Sequence, residues 1–278
     1  MIKKALRLAR TLSLDIVLGA VVGSMFIADY LQVYLPTLSL CALAMSVWLI
    51  YTTDHLSDAY KIPHTAHTFR HQFHQKHFKT LSQLLFIVAT VGIILLTQLP
   101  INLILWGGGV LSLVGLYFLS IRWMNLQNVL HKEFVIAVLY SIGVFLAPIY
   151  MSGLTTSPTI WLLFIQYILL ALCNLLIFSW YEKELDQLDF HISYATAVGD
   201  KTSVKSILTC IWLLYFITGA GVWLYHSDVQ FLITQCIILC MVITLHCIFL
   251  FPSYFRQYEM YRSIADAVFL YPILYLIL

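Results

Sequence analysis

Charge is scarce in this sequence. Only 13 of the 278 residues are acidic and 15 are Lys or Arg, so 10% carry charge, against about 25% in a soluble domain. Such a chain cannot cover a water-facing surface, which excludes a soluble globular fold. The formal net charge of +2 offers no basic face to a nucleic acid, because the basic residues are dispersed between apolar runs. Proline is sparse, at seven, and no linker, internal repeat or low-complexity tract divides the chain. The six cysteines (Cys41, Cys173, Cys210, Cys236, Cys240 and Cys247) lie inside apolar runs. They form neither a disulfide framework nor a zinc spacing and read as small buried hydrophobes. No small-residue cleavage site follows the basic start "MIKKALRLAR", so the first apolar run reads as a membrane helix rather than a removable signal.

What the chain does have is hydrocarbon: 61% of residues are hydrophobic and the mean hydropathy is +0.89. A helix needs about 20 apolar residues to cross ~30 Å of bilayer core. Nine stretches approach that length, at 11–30, 34–53, 81–99, 101–120, 134–152, 158–180, 206–225, 229–251 and 263–278. Spans this long satisfy their backbone as helices rather than as a barrel. Short links such as "TQLPIN" around Pro100 make sequential helices antiparallel neighbours. The expectation is an all-α membrane protein, a bundle of nine transmembrane helices in one integral domain, with segments 54–80 and 181–204 capping a central cavity.

Lys and Arg collect in short cytoplasmic loops. Here all fifteen, from Lys3 before the first span to Arg262 after the eighth, fall on the N-terminal side of the nine-span arrangement. This predicts a multi-pass protein with a cytoplasmic N-terminus and an extracytoplasmic C-terminus, in the inner membrane of a bacterium.

The acids cluster. Asp54 and Asp58 end the second span, four apart and so on one helix face. Glu182, Asp186 and Asp189 share a face at the end of the sixth, in "SWYEKELDQLD". Two acidic clusters at one depth suit a hard divalent cation, since Mg²⁺ takes a few carboxylates plus phosphate oxygens; solvated helix ends are the other reading. His64, His67, His71, His74 and His77 follow at helical spacing. They suit an amphipathic interfacial helix, with a transition-metal site or a lid over the acids as alternatives.

"TDHLSD…HTAH", "YFLSIR" and "YEKELDQLDFHISYATAVG" together resemble the motifs of the UbiA superfamily of intramembrane prenyltransferases. That family has nine transmembrane helices and two Asp-rich motifs on the cytoplasmic side. The resemblance implies Mg²⁺-dependent transfer of a prenyl group from a prenyl diphosphate to a lipophilic, membrane-associated acceptor. It implies catalytic and metal-holding roles for Asp54, Asp58, Glu182 and Asp186, and diphosphate contacts from Arg122, Lys61, Arg70 and Lys132. Asp189, on the same face, joins the metal-ligand set. The chain departs from the pattern where Ile50 and Tyr51 stand for Asn-Asp, where Glu182 replaces Asp, and where a basic segment has become histidine-rich.

Other residues are candidates on their own chemistry. His55 lies inside the aspartate pair, and Asn174 is two turns before Glu182 and so within reach of a substrate. Asp15 and Asp266 lie at depths where a charge is costly. "GGG" at 107–109 and "GAG" at 219–221 read as points of close helix packing. The 17 Tyr, 17 Phe and 7 Trp suffice to line a cavity that stabilises an allylic cation. A non-catalytic lipid- or quinone-binding protein of the same fold, or a small transporter, stays open beside the enzyme. The topology is directly testable: a reporter fused after Leu278 is expected outside the cytoplasm and one inserted at residue 190 inside it. A cytoplasmic C-terminus would shift the span count by one.

Overall fold

The computed structural model describes the backbone of residues 2–123, 130–153 and 157–277, and the side chains of 7–116, 132–153 and 157–277. Among these residues there are helices and turns but no strand. The basic α1 (Ile2–Thr11) is set off from α2 (Leu14–Tyr30) by Ser13, which has a left-handed φ of 56°. Pro36 precedes α3 (Thr37–Lys61). Thr68 caps α4 (Phe69–Lys76), its Oγ1 accepting the His71 N–H at 3.3 Å. Pro100 separates α5 (Phe78–Leu96) from α6 (Ile101–Trp123), and α7 (Leu130–Met151) follows. The longest helix, α8 (Pro158–Leu188), opens with proline, where a missing N–H costs nothing. Then come α9 (Tyr194–Val198), α10 (Asp200–Leu224) and α11 (Val229–Leu250), the last capped by Asp228. Short α12 (Pro252–Phe255) and α13 (Met260–Ala267) lead into a 3₁₀ turn, Val268–Leu274.

Six of these helices are long and apolar enough to cross a membrane: α3, α5, α7 over Lys132–Met151, α8, α10 and α11. They match six of the nine expected spans. Two of the other three fall short for local reasons, and the third is described only in part. Ser13 trims α2 to 17 residues, and only Ile101–Leu116 of α6 lies within the described side chains. Left-handed Tyr258 and Glu259 and then Pro272 break the terminal segment into α13, of eight residues, and the 3₁₀ turn. The outer surface is apolar: Phe86, Phe216 and Trp223 are 75%, 72% and 76% exposed, which suits lipid and not water.

The core sits around α8, which packs against α7, α10 and α11 through fully buried Leu163, Tyr167, Leu170 and Ile177. Buried amides join the helices where no water can. Gln166 Nε2 donates to Thr218 Oγ1 at 3.0 Å and to Gln235 Oε1 at 2.7 Å, tying α8 to α10 and α11. The 31 residues of α8 reach ~46 Å at ~1.5 Å per residue, well beyond ~30 Å of hydrocarbon. Its last turns, with Glu182 and Asp186, therefore overrun the bilayer. The 25-residue α3 also exceeds that thickness, and carries Asp54 and Asp58 near its C-terminal end. Of the cysteines, Cys173 and Cys210 are buried as expected, while Cys41, Cys236 and Cys240 face outward.

The glycine runs do not behave as expected. Gly107, Gly108 and Gly109 have no atom within 4 Å of an added Cβ, and neither has Gly219; of these two runs only Gly221 is close-packed, 3.0 Å from Leu162. The close approach falls instead at Gly19 in α2, where a Cβ would lie 2.8 Å from the Cβ of Phe269 in the terminal turn. Gly19→Ala is thus expected to destabilise the detergent-solubilised protein by about 1–3 kcal/mol through overpacking, with Gly219→Ala neutral. Equal thermal midpoints for the two variants would refute this packing.

Candidate functional site

The overrunning ends of α3 and α8 face each other across a cavity of about 160 Å³. Its wall takes Asp54, His55 and Asp58 from α3, Arg70 from α4, Lys132 and Glu133 from α7, and Asn174, Glu182 and Asp186 from α8. Beyond α8, His191 and Ser193 contribute, and α13 adds Arg262 and Asp266. Lys132 Nζ lies 3.6 Å from Asp54 Oδ1 and donates to Asp58 Oδ2 at 3.3 Å. Lys61 Nζ donates to Asp58 Oδ1 at 3.2 Å from the exposed side, and His191 Nε2 is 4.0 Å from Asp58 Oδ2. Glu182 is gripped by Arg262, whose Nε and Nη2 each donate to a different carboxylate oxygen. Tyr261 Oη donates to Glu182 Oε1 at 2.8 Å, and Arg70 Nη2 is 3.9 Å from Oε2. Asn174 Nδ2 donates to Asp266 Oδ1 at 3.1 Å.

Of the residues expected at the site, eight meet here: Asp54, His55, Asp58, Arg70, Lys132, Asn174, Glu182 and Asp186. Lys61 reaches the cluster only through Asp58. Asp189 does not line the cavity; its carboxylate turns to the backbone N–H of His67 at 3.0 and 3.1 Å. The side chain of Arg122 lies outside the described residues. Asp266 lines the cavity, whereas Asp15 does not and its Oδ1 accepts its neighbour's N–H. Sequence reasoning missed Glu133, Arg262, His191 and Arg10 as wall residues. Arg262 and Asp266 stand at i, i+4 in "YRSIAD", a pairing that could have drawn attention to both.

Two features suit the cavity to a charged ligand. Six carboxylates line it (Asp54, Asp58, Glu133, Glu182, Asp186, Asp266) against four fixed cations (Arg10, Arg70, Lys132, Arg262). Several wall atoms are also buried without a hydrogen-bond partner: Arg10 Nε, Arg70 Nε, Glu133 Oε2, Tyr140 Oη and Asn174 Oδ1. Buried polar atoms are nearly always paired, so their concentration around one cavity fits a space that holds water or a polar ligand.

The excess of carboxylates fits a divalent cation, as do their oxygen donors. Among the described residues no three carboxylates converge on one point; the one group of three whose ligand atoms lie within 4.8 Å is His64, His67 and Asp189. A hard cation in this cavity would thus be held by one or two carboxylates, Asp54 with Asp58 or Asp186, and completed by ligand oxygens.

A second, apolar cavity of about 260 Å³ opens beside the first, between α3, α6 and α7. Leu43, Val47, Leu103, Leu111, Leu139 and Leu146 line it, with Gly107 and Gly108 giving it width. Tyr51, Asp54, Ile136 and Tyr140 belong to both cavities. The combined space has a charged head and a hydrocarbon tail.

The histidine-rich segment is not one helix. Residues 62–68 are irregular and α4 starts at Phe69. His71 and His74 point inward, at 1% and 0% exposure, so they cannot face lipid headgroups. His74 Nδ1 bonds the Arg70 carbonyl at 2.8 Å, and its ring stands 5.3 Å from that of His55. Burial pushes His74 and His191 below the ordinary histidine value, and burial followed by nearby Arg262 lowers Arg70.

No family model, curated protein or solved structure matches the chain.

The burial of His74 sets a pH dependence. Folded, it takes up a proton less readily than a free imidazole; unfolded, it takes one up below ~6.5. Stability of the α4 docking is therefore complete above that pH and falls as pH drops through it, by up to ~1.4 kcal/mol, or tenfold, per pH unit. Hydrogen exchange of 62–76, corrected for intrinsic rates, is expected to rise between pH 7.5 and 5.5. In His74→Gln that rise is expected to be smaller, by up to about tenfold; an unchanged rise would place the titration elsewhere.

Proposed function

We propose that this protein transfers a prenyl group from a prenyl diphosphate to a lipophilic, membrane-associated acceptor, with Mg²⁺ bound beside the diphosphate. The observation that carries the reading is the pairing of the carboxylate-rich cavity with the apolar one across a shared neck. A diphosphate head fits the first and an isoprenoid tail the second. The anionic head enters a wall rich in carboxylates, which requires cations. Arg70, Lys132 and Arg262 supply three of them; Asp54 with Asp58 or Asp186 would hold Mg²⁺, and Glu182 serves to anchor Arg262. When bound, Mg²⁺ neutralises the departing diphosphate as a Lewis acid.

The rest of the chemistry falls to the chain itself. As the carbon–oxygen bond breaks, the diphosphate leaves with the electron pair and an allylic cation remains near the neck. There Tyr51 and Tyr140 line both cavities, and an aromatic face turned to a desolvated cation is worth about 1–2 kcal/mol. The acceptor bonds to that carbon and loses a proton. The apolar lining of the second cavity keeps water from that side of the cation, which water would otherwise capture.

The same reading takes the fold as a nine-helix, UbiA-like bundle. The six spanning helices are joined by α2, α6 and the terminal α13 segment, with the charged end cytoplasmic. The one-sided Lys and Arg of the nine-span arrangement support that orientation. A second reading, binding of an amphiphile without turnover, is favoured by one feature: Lys132 and Arg262 already compensate Asp54, Asp58 and Glu182.

Binding of a radiolabelled prenyl diphosphate with and without Mg²⁺, followed by diphosphate release in a membrane lipid extract, tests both. Asp186→Asn is expected to weaken Mg²⁺-dependent binding by ~100-fold or more, about 3 kcal/mol. Asp228→Asn, at the N-terminus of α11, is expected to leave it unchanged. Equal binding by both variants would overturn the site, and tight binding without diphosphate release would favour the second reading.

A further inference from the structure

The charged end of the molecule holds another cluster, outside the cavity. Residues 62–68 fold back on the end of α8, where Asp189 follows the last helical residue. Asp189 is 2% exposed, and the His67 N–H bonded to both its oxygens fixes the carboxylate plane. Against that carboxylate stand two imidazoles, His64 Nε2 at 3.3 Å and His67 Nδ1 at 2.6 Å from Oδ1. A third comes from α4. His71 Nδ1 is 3.9 Å from Asp189 Oδ2; the ring is 1% exposed, and this nitrogen has no hydrogen-bond partner. Leaving a buried nitrogen unbonded costs about 1–3 kcal/mol, and here it lies 3.9 Å from a carboxylate already flanked by two imidazoles.

We propose that His64, His67 and Asp189, with His71 as fourth donor, bind one transition-metal ion of the zinc class at the joint between the 62–68 segment and α8. Donor type separates this ion from Mg²⁺: three imidazole nitrogens and one carboxylate suit Zn²⁺ or Co²⁺, whereas Mg²⁺ takes oxygen. Spacing agrees as well. Bonds of ~2.0–2.1 Å in a tetrahedron put donor atoms ~3.3 Å apart. His64 Nε2 and His67 Nδ1 stand 3.3 and 2.6 Å from Asp189 Oδ1, at and below that value. These three ligand atoms lie within 4.8 Å of one another, with His71 further out at 3.9 Å from the other oxygen. The backbone N–H on Asp189 is the outer contact that orients a ligating carboxylate.

The site is a clamp. Three of its donors flank or lie in the segment between α3 and α4, and the fourth is more than a hundred residues away at the end of α8. Arg70, three residues from His67, lines the cavity. An ion at the joint therefore fixes where Arg70 stands. None of the four donors lines the cavity itself, so the inference does not depend on what the cavity binds.

The test uses the full chain, purified in detergent with a cleavable non-histidine tag, stripped with a chelator and titrated with Co²⁺ and then Zn²⁺. One equivalent per chain is expected, with the d–d absorption of tetrahedral cobalt, displaced by zinc. The double variant His64→Gln, His67→Gln is expected to lose affinity by on the order of 100-fold or more, while His226→Gln, in the exposed turn after α10, keeps it. Because the double variant could misfold, His67→Cys provides a second reading: it retains a donor and should add a thiolate-to-cobalt charge-transfer band. No stoichiometric uptake by the wild type, undiminished uptake by the double variant, or a cobalt-loaded His67→Cys without that band would each overturn the site.

Discussion

The carboxylates at the overrunning ends of α3 and α8 must be compensated where water is excluded, and much of the charged end is arranged to meet that requirement. An uncompensated buried charge costs several kcal/mol. Lys132 answers for Asp54 and Asp58 together, which ties α7 to α3. Arg262 answers for Glu182 through two hydrogen bonds, which ties α13 to α8. That pair is itself fixed by aromatics. The Tyr261 ring stacks on Tyr181 at 4.3 Å, and Tyr181 Oη donates to the Ile248 carbonyl at 2.6 Å, bringing in α11. The short α13 is therefore anchored by electrostatics, where its eight residues would be marginal as a helix alone.

The segment between α3 and α4 shows the same economy of polar groups. Residues 62–68 have no helical ladder, so their backbone groups need side-chain partners. Gln75 of α4 provides them, its Oε1 accepting the Ala66 N–H at 3.0 Å and its Nε2 donating to the His64 carbonyl at 2.9 Å. Gln72 Nε2 donates to the Ala66 carbonyl at 2.8 Å. Asp189 then receives the His67 N–H. A loop held by amides from one side and a carboxylate from the other is an ordered cover.

What could be read before folding was whatever depends on local period and length. The long apolar runs of α3, α5, α7, α8, α10 and α11 announced themselves, and the i, i+4 spacing of Asp54 with Asp58 and Glu182 with Asp186 put each pair on one face. Features set by distant partners were not legible. Arg262 gains its role from Glu182, eighty positions earlier. The histidines lost their helical stripe because Gln75 and Asp189 organise 62–68 differently. Left-handed Ser13, Tyr258 and Glu259 carry no glycine to announce a break. At Gly107 and Gly108 the absence of side chains opens a cavity, where the sequence alone suggested contact.

The neck between the two cavities gives the departures from the UbiA-like motif a physical meaning. Where that motif has Asn-Asp, this chain has Ile50 and Tyr51. Ile50 lines the apolar cavity and Tyr51 borders both. A carboxylate at Tyr51 would add a seventh acid to a wall that already outnumbers its cations, and would draw water toward the hydrocarbon side. Tyrosine instead places an uncharged ring at the border of the two compartments. Tyr140 faces the same neck from α7, its ring set edge-on against Phe269 at 5.5 Å. The junction of head and tail in any amphiphile held here must pass between Tyr51 and Tyr140. On the proposed reading that junction would be the carbon–oxygen bond of a prenyl diphosphate, and Tyr51, standing where the motif has an acid, would border the charge its cleavage creates.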